Sequence, residues 1–312
     1  MSSVARTPDS VSHRNAFAVG VAVEPLASTE IFRIGLWRCV VGASESTSVQ
    51  TQRWPMMSFT HGGAFVVHSG GRSSVIDPSC TLLINADAPY RMSKHFGETS
   101  RGAYVLVRPD VFFDVARARG PAGGFGEVEG PNSTRMYLLH RAILDRLAQA
   151  PPPDALEIDE MAVGLVEAAF RKVPIHRETR ARRRQGAVIE SVRALVLEHL
   201  SEALKLDEIA SAVGLSPFHL CRVFRRVTGR TLHQYRTTLR LRAAFDRIAR
   251  GNIDLGQLGI ELGYSSHSHF TAAFRKEFGT SPSKVRKNAH ASGLRVARQG
   301  SGTADSLSSS SC

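Results

Sequence analysis

Basic, hydroxyl and imidazole side chains recur at helical spacing in two stretches that lie 50 residues apart, counted from Gly229 to Gly279. The first stretch carries Arg222 and Arg225, and the second carries Arg275. Guanidinium and ammonium groups donate hydrogen bonds to phosphate oxygens, and a guanidinium can also pair with the edge of a guanine base. These residue types at this spacing indicate contact with a nucleic acid.

The first stretch has the start and stop signals of a helix-turn-helix over residues 206–229. Gly214 supplies the backbone conformation that ends a short helix, and Ser216-Pro217 forms a good cap and first turn for the next helix. Spacings of three and four predict one buried face on that second helix, formed by Leu220, Val223, Phe224 and Val227. Its outward side then presents Phe218, Cys221, Arg222 and Arg225, flanked by Arg226.

The second stretch repeats this plan over residues 254–279. Gly263 ends its first helix, and Ser265 and Ser266 are the candidate caps of its second helix. The predicted buried face consists of Phe270, Ala273, Phe274 and Phe278. The outward residues are His267, Ser268, Thr271 and Arg275.

The segment between the two units predicts a single connecting helix. It has no Pro or Gly from Thr231 to Arg250, and Gly251 ends the run. A helix of this length measures roughly 30 Å at 1.5 Å per residue. Because one turn of duplex DNA measures about 34–36 Å, the two outward helices can enter successive major-groove segments on one face of the DNA.

These residues resemble the DNA-binding domain of the AraC/XylS transcription regulators over about Gln185 to Arg286. The resemblance is carried by Gly214-Leu215-Ser216-Pro217, Phe224-Arg225-Arg226, Tyr235, Arg240-Leu241, Gly263-Tyr264-Ser265-Ser266, His269-Phe270, Phe274-Arg275-Lys276-Glu277-Phe278-Gly279 and Ser281-Pro282. It implies a seven-helix domain of two units in which the second helix of each unit reads the major groove.

Position by position, the resemblance implies that Phe218, Cys221 and Arg222 read bases in the first unit, and that Ser268, Thr271 and Ala272 do so in the second. Ala272 departs from the family pattern, in which arginine is common at that place. The complete set of predicted DNA contacts is Pro217, Phe218, His219, Cys221, Arg222, Arg225, Arg226, Ser266, His267, Ser268, Thr271, Ala272, Arg275 and Lys276.

The N-terminal part has short apolar runs broken by turn residues, which predicts an antiparallel β-barrel or jelly roll. It resembles the cupin-like sensor domain of the same family more weakly, and this implies a small-molecule effector. Tyr90 and Arg91 combine apolar surface with polar groups, so they are the candidate ligand contacts. The residues expected to fill or line the barrel are Phe65, Val67, Ile76, Leu83, Tyr90, Val105 and Val107.

After Asp110 the spacing of the apolar residues changes from two toward three and four. Helices are therefore predicted over 111–119, 133–149 and 155–172. The expected domains are a cupin-like sensor and dimerisation domain (16–175), a basic linker (176–185), a DNA-binding domain (186–290) whose first helix begins at Val188, and a disordered tail (291–312). The fold class is therefore α+β, with a barrel and a helical hairpin followed by an all-α domain. The family resemblance implies a homodimer that pairs through one of the two longer helices.

The charge distribution agrees with this division. The chain of 312 residues has a formal net charge of +12, and residues 177–290 hold 21 Lys and Arg against 10 Asp and Glu. Residues 1–176 hold 17 of each, so the basic excess lies in the C-terminal half, as expected for phosphate binding. No apolar run is long enough to span a membrane, and four scattered cysteines favour a reducing cytoplasm.

We therefore expect a cytoplasmic, nucleoid-associated transcription regulator that binds double-stranded DNA, contacts RNA polymerase by family resemblance, and activates in response to an effector. Two alternatives stay open. One is a cupin-type metalloenzyme with a basic accessory domain, although His61, His68 and His95 lack metal-ligand spacing. The other is an architectural DNA binder without a sensing role. No cofactor, metal, catalytic residue or membrane association is expected.

Overall fold

A computed structural model describes residues 20–39, 46–119, 124–125, 128–170, 180–251 and 253–292. Within these ranges only the backbone is described for residues 94, 95, 97, 98, 119, 180–184 and 290–292. An antiparallel sheet forms the N-terminal half, and helices form the rest. The predicted α+β class is confirmed. The predicted tail lies outside the described residues, apart from the last turn of the final helix.

The sheet has seven strands in the order β1-β2-β6-β3-β5-β7, with β4 paired to β3. They are β1 (Val21–Ser28), β2 (Phe32–Cys39), β3 (Met56–Ser69), β4 (Arg72–Ile76), β5 (Cys80–Ile84), β6 (Tyr90–Val107) and β7 (Glu129–Pro131). The long strands β3 and β6 pair along their lengths, with register shifts near Gly62 that bend them. A β1–β7 pair is not among the pairings of the described strands, so closure into a barrel stays a prediction.

The two faces of the sheet carry separate cores, because neighbouring residues of a strand point to opposite faces. Phe65, Val67, Ile76 and Tyr90 lie in one core together with Trp37 and Tyr104. Leu83, Val105 and Val107 lie in the other core, which the helices cover. All seven residues expected to fill or line the barrel are therefore buried, but they divide between two cores.

Three helices cover that second core. They are α1 (Pro109–Arg119), α2 (Thr134–Leu147), which Ser133 caps, and α3 (Ala155–Phe170). α2 and α3 form the predicted hairpin, and α3 buries Ile158, Ala162, Leu165 and Val166 in the core beneath them. The bounds differ from the predicted ones by two residues at most, which is the usual scatter of helix ends.

The C-terminal half consists of seven described helices. They are α4 (Arg180–Glu198), α5 (Leu206–Ala212), α6 (Pro217–Thr228), α7 (Leu232–Arg250), α8 (Leu255–Glu261), α9 (His267–Phe278) and α10 (Pro282–Ser292). α4 begins eight residues before Val188, the predicted start, and so includes the end of the predicted linker. Arginine is a good helix former, and the run before Gly186 has no helix breaker, so the helix extends through it.

The two halves of the chain pack against each other through buried residues. Tyr137 of α2 is fully buried, and its ring centroid lies 5.5 Å from that of Phe245 and 5.7 Å from that of Phe278. Arg101 of β6 pairs with Asp246 of α7 at 2.6 Å. Within the described ranges, no helix is both long and apolar enough to cross a bilayer.

Candidate nucleic-acid interface

The first unit is formed by α5, a tight turn and α6. Gly214 adopts a positive φ of +67° in the turn, where the chain leaves α5. Ser216 caps α6 by accepting a hydrogen bond from the His219 backbone N–H at 3.3 Å. Gly229 ends α6 in the left-handed conformation. The capping serine and the helix-ending glycines that the sequence indicated therefore lie at the helix ends.

α6 has one buried face and one open face. Leu220, Val223 and Phe224 pack against α4, α5 and α7 in the core of the first unit. Val227 was predicted to join them, but it is 43% exposed, because this core reaches along the helix only as far as Phe224. The opposite side presents exposed Phe218, Cys221, Arg222, Arg225 and Arg226, while Pro217 and His219 are half-buried in the first turn.

Phe218 and Arg222 lie together on the open face. The Phe218 ring is 77% exposed, and the Arg222 guanidinium carbon lies 6.0 Å from its centroid. Packing of this kind orients a guanidinium while its N–H groups stay available for hydrogen bonds. An aromatic side chain this exposed offers apolar area to a partner molecule.

The second unit repeats the arrangement through α8 and α9. Gly263 has a φ of +78° in its turn, and Ser266 caps α9 by accepting from the His269 backbone N–H at 3.1 Å. Phe270, Phe274 and Phe278 are buried, whereas Ala273 is half-buried. The exposed residues are Ser266, His267, Ser268, His269, Ala272, Arg275 and Lys276.

Thr271 differs from the outward position that its spacing predicted. It is half-buried, and its hydroxyl oxygen is buried without a hydrogen-bond partner in the described part of the chain. Ala272, next to it, is exposed but has no polar group. Of the three base-reading positions that the resemblance implies in each unit, α9 therefore exposes the hydroxyl of Ser268, whereas α6 exposes the guanidinium of Arg222.

One helix holds the two units together. Tyr235 and Leu239 in the first part of α7 belong to the first core, and Leu241, Phe245 and Ile248 belong to the second core. The 19 residues of α7 span about 28 Å at 1.5 Å per residue.

Arg240 strengthens this connection between the units. It is 9% exposed and donates hydrogen bonds to the carbonyl oxygens of Leu200 (2.8 Å), Glu202 (3.0 Å) and Gly263 (3.1 Å). The first two acceptors follow α4, and the third lies in the turn of the second unit. The sequence marked Arg240 only as part of a family motif, since its partners are distant along the chain.

Tyr90 and Arg91, the candidate ligand contacts, do not meet in one site. Tyr90 is 2% exposed, and its hydroxyl hydrogen-bonds with the side chains of Gln50 (3.3 Å) and Gln52 (3.2 Å). Burial raises the pKa of Tyr90 to about 12. Arg91 is the next residue of the strand, points to the other face and bonds with Ser46 at 3.2 Å.

The candidate metal ligands are dispersed. His61 is buried, and its Nε2 lies 3.1 Å from Nε2 of His140, whereas His68 contacts Ser73 and Ser93. Burial, followed by nearby arginines, lowers the pKa of His61 well below its ordinary value, and burial and His61 do the same for His140. The described residues contain no group of three or more His, Cys, Asp or Glu side chains placed to hold a metal. The His95 side chain lies outside the described residues.

The sequence did not indicate the buried polar contacts between the sheet and the helices. Arg193 and Tyr235 both hydrogen-bond to Asp77, at 2.8 and 2.7 Å. Arg242 is fully buried and donates to the carbonyl oxygens of Pro78 and Asn132. The sequence feature that could have indicated these contacts is Arg193, an arginine on an otherwise apolar side of a helix.

Comparisons with known proteins concentrate on the C-terminal half. A helix-turn-helix domain model matches residues 209–288. The chain is 35% identical over 88 residues to the probable transcription factor PqrA of Proteus vulgaris, covering 28% of this chain and 72% of that protein. It is 32% identical over 99 residues to the regulatory protein SoxS of Escherichia coli K12, covering 32% of this chain and 92% of that protein.

Two solved structures are also similar. One is a transcriptional regulator with an AraC-type DNA-binding domain from Chromobacterium violaceum, with 28% identity and a TM-score of 0.32 over 33% of this chain and 92% of that chain. The other is ToxT from Vibrio cholerae O395, with 12% identity and a TM-score of 0.33 over 84% of this chain and 99% of that chain.

Proposed function

Because the chain belongs to the AraC/XylS family of DNA-binding transcription regulators, we propose that the open faces of α6 and α9 contact successive major-groove segments of one duplex. The observation that carries this proposal is the geometry of the two units. Each has a serine-capped helix with a buried stripe on one side and an open, basic side on the other, and both pack on α7.

The proposed roles divide between bases and phosphates. Arg222, with Phe218 and Cys221, specifies bases in the first unit. His267 and Ser268 do so less strongly in the second unit, because the Thr271 hydroxyl is buried and Ala272 has no polar group. Phosphate contacts, which position the protein without choosing a sequence, come from Arg225, Arg226, Arg275 and Lys276. The remaining contacts are Pro217, His219 and Ser266 at the helix starts.

Footprinting on a bound promoter tests this geometry. We expect protection of two adjacent turns of the helix on one face of the DNA, since α7 has about the length of one duplex turn. Protection confined to one turn, or no protection at moderate ionic strength, would contradict the two-unit arrangement.

Two substitutions separate the base-reading role from the phosphate role. Arg222→Ala should weaken binding by about 1–3 kcal/mol at one base position and relax the preference there, because it removes a bidentate contact. Lys276→Ala should weaken all sequences alike. Fluorescence anisotropy on specific and random duplexes measures both effects. Equal losses on the two duplexes for Arg222→Ala would refute its assigned role.

The exposed ring of Phe218 leads to a second prediction, about thymine. In the major groove the apolar group that a ring can cover is the thymine 5-methyl. Replacing the contacted thymine by deoxyuridine removes one methyl group. Burial of one such carbon contributes about 0.8 kcal/mol, so affinity should fall about fourfold. The Phe218→Ala variant should not distinguish the two duplexes, and His267→Ala, in the other unit, should distinguish them as the native chain does.

For the rest of the chain we propose a sensor and dimerisation domain (16–175), followed by a DNA-binding domain that includes α4 and extends to residue 290. The protein is a cytoplasmic activator that acts as a homodimer, contacts RNA polymerase and responds to a small molecule. A shift in the melting temperature on adding a metabolite supports an effector, since a ligand that prefers the folded state stabilises it. No shift with any metabolite tested favours the architectural alternative.

We propose no enzymatic activity for the chain. The relatives of its C-terminal half are transcription regulators. Nε2 of His61 lies 3.1 Å from Nε2 of His140, and the positive charges of Arg101, Arg141 and Arg250 act on it, which disfavours a divalent cation there. Stoichiometric metal in the purified protein, lost in a His61→Ala variant, would support the metalloenzyme alternative.

A further inference from the structure

A buried cluster of charges joins the sheet to the DNA-binding helices. Asp77, in the turn between β4 and β5, is fully buried and accepts hydrogen bonds from the Ser79 backbone N–H (2.6 Å), from Arg193 of α4 (2.8 Å) and from the Tyr235 hydroxyl of α7 (2.7 Å). One carboxylate of the N-terminal half therefore holds two helices of the C-terminal half.

Arg193 has more carboxylates around it than a single cation can neutralise. Its side chain is 5% exposed, and its nitrogens lie 2.8 Å from Asp77, 2.7 Å from Glu129 of β7 and 3.3 Å from Glu190 of α4. Cys80, Tyr235 and Arg242 also face the cluster, and the Val75 backbone N–H donates to Glu190. Arg242 directs its guanidinium to the carbonyl oxygens of Pro78 and Asn132 instead.

Like charges this close cannot all stay ionised in a buried interface. Burial opposes ionisation of Asp77, but Arg193 and the hydrogen bonds from Ser79 and Tyr235 outweigh it and lower the pKa of Asp77. Glu129 behaves in the opposite way. Burial, together with the carboxylates of Glu190 and Asp77, outweighs Arg193 and raises the pKa of Glu129 to about 7. Glu129 is therefore the group that takes up a proton near neutral pH.

We propose that this cluster is a proton-linked lock between the two halves of the chain, in which Glu129 holds a proton while the sheet and α4 are docked and releases it when they separate. Between about pH 4.5 and pH 7 the docked state then binds up to one proton more than the separated state. Because α4 belongs to the core of the first DNA-reading unit, the lock couples the protonation of Glu129 to the freedom of that unit.

The pH window follows from the direction of the shift. Glu129 has a pKa of about 7 in the docked state and an ordinary value of 4.5. Its protonation therefore stabilises docking fully below pH 4.5, and this stabilisation is lost as the pH rises through 7. Between about pH 6 and pH 8 the docking equilibrium should change by up to about tenfold. The side chain is 27% exposed, and solvent screening reduces this factor.

Hydrogen exchange on the full-length chain tests the proposal. The variant Glu129→Gln replaces the carboxyl by a neutral group of the same shape. At pH 8 the amides of α4 should exchange several-fold faster in the native chain than in the variant, and at pH 6 the two should agree. Comparison at a single pH removes the intrinsic pH dependence of exchange. It also removes the effect of His61 and His140, whose lowered pKa values act with the opposite sign below 6.5.

The matched control is Glu198→Gln, the same change at an exposed position of α4, which should behave as the native chain does at both pH values. Infrared spectroscopy supplies a readout on the native chain itself. A protonated carboxyl band should titrate near pH 7 and be missing from the Glu129→Gln variant. Equal exchange rates at pH 8, or a spectrum without that band at pH 6, would overturn the proposal.

Discussion

The substitution Arg193→Ala should lower the free energy of unfolding by about 3–5 kcal/mol, because it removes one partner of a buried ion pair. Asp77 would then stay buried without its cation, and Glu129 and Glu190 would lose the guanidinium that bonds to both. Urea titration measures the effect. Both tryptophans, Trp37 and Trp54, lie in the sheet half, so fluorescence follows that half while circular dichroism follows the helices.

The matched control for this prediction is Arg117→Ala. Arg117 pairs with Asp114 at 2.8 Å, but both side chains are more than two-thirds exposed, at 72% and 73%. Removing an exposed pair should cost about 0–1 kcal/mol. Similar losses for the two variants would show that the contacts of Arg193 do not stabilise the junction between the two halves.

The affinity for any duplex should fall steeply with salt. Four exposed cations, Arg225, Arg226, Arg275 and Lys276, are the proposed phosphate contacts, and each phosphate contributes roughly 0.9 to the slope of log affinity against log salt. The slope should be about −3.6, so affinity should fall about a hundredfold between about 50 and about 200 mM salt. Anisotropy titrations at several salt concentrations give this slope.

Variants identify which cations contribute to the slope. The double variant Arg275→Ala, Lys276→Ala should reduce the slope by about 2, because it removes two phosphate contacts. Arg117→Ala removes one exposed charge from α1, in the sheet half, and should leave the slope unchanged. A slope near zero in the native chain would mean that the basic faces do not lie against phosphates.

Local signals in the sequence predicted the elements of the DNA-reading half well. Gly214 and Gly263 occupy positive-φ turns, and Ser216 and Ser266 cap the helices that the sequence assigned to them. These features depend on neighbouring residues, so they can be inferred without the tertiary structure. The prediction that Val227 is buried was wrong. Helical spacing indicates a face, whereas the extent of the packed core along that face depends on other helices.

Contacts between distant parts of the chain could not be predicted in this way. Arg193 meets Asp77 across 116 positions, and neither residue belongs to a local motif that names its partner. Tyr90 and Arg91 looked like a pair because they are adjacent, but a strand separates adjacent side chains onto two faces. The buried hydroxyl of Thr271 likewise depends on packing that spacing alone does not specify.

The sharing of α7 by both cores, together with the hydrogen bonds of Arg240, has a consequence for the promoters that this regulator serves. If both units contact the DNA as proposed, the protein sets the separation of the two contacted segments. A single inserted base pair would rotate one segment by about 35° relative to the other, given about 10–10.5 base pairs per turn. Individual base pairs within either segment can therefore change during promoter evolution. An insertion or deletion between the segments would leave only one of them aligned with its helix.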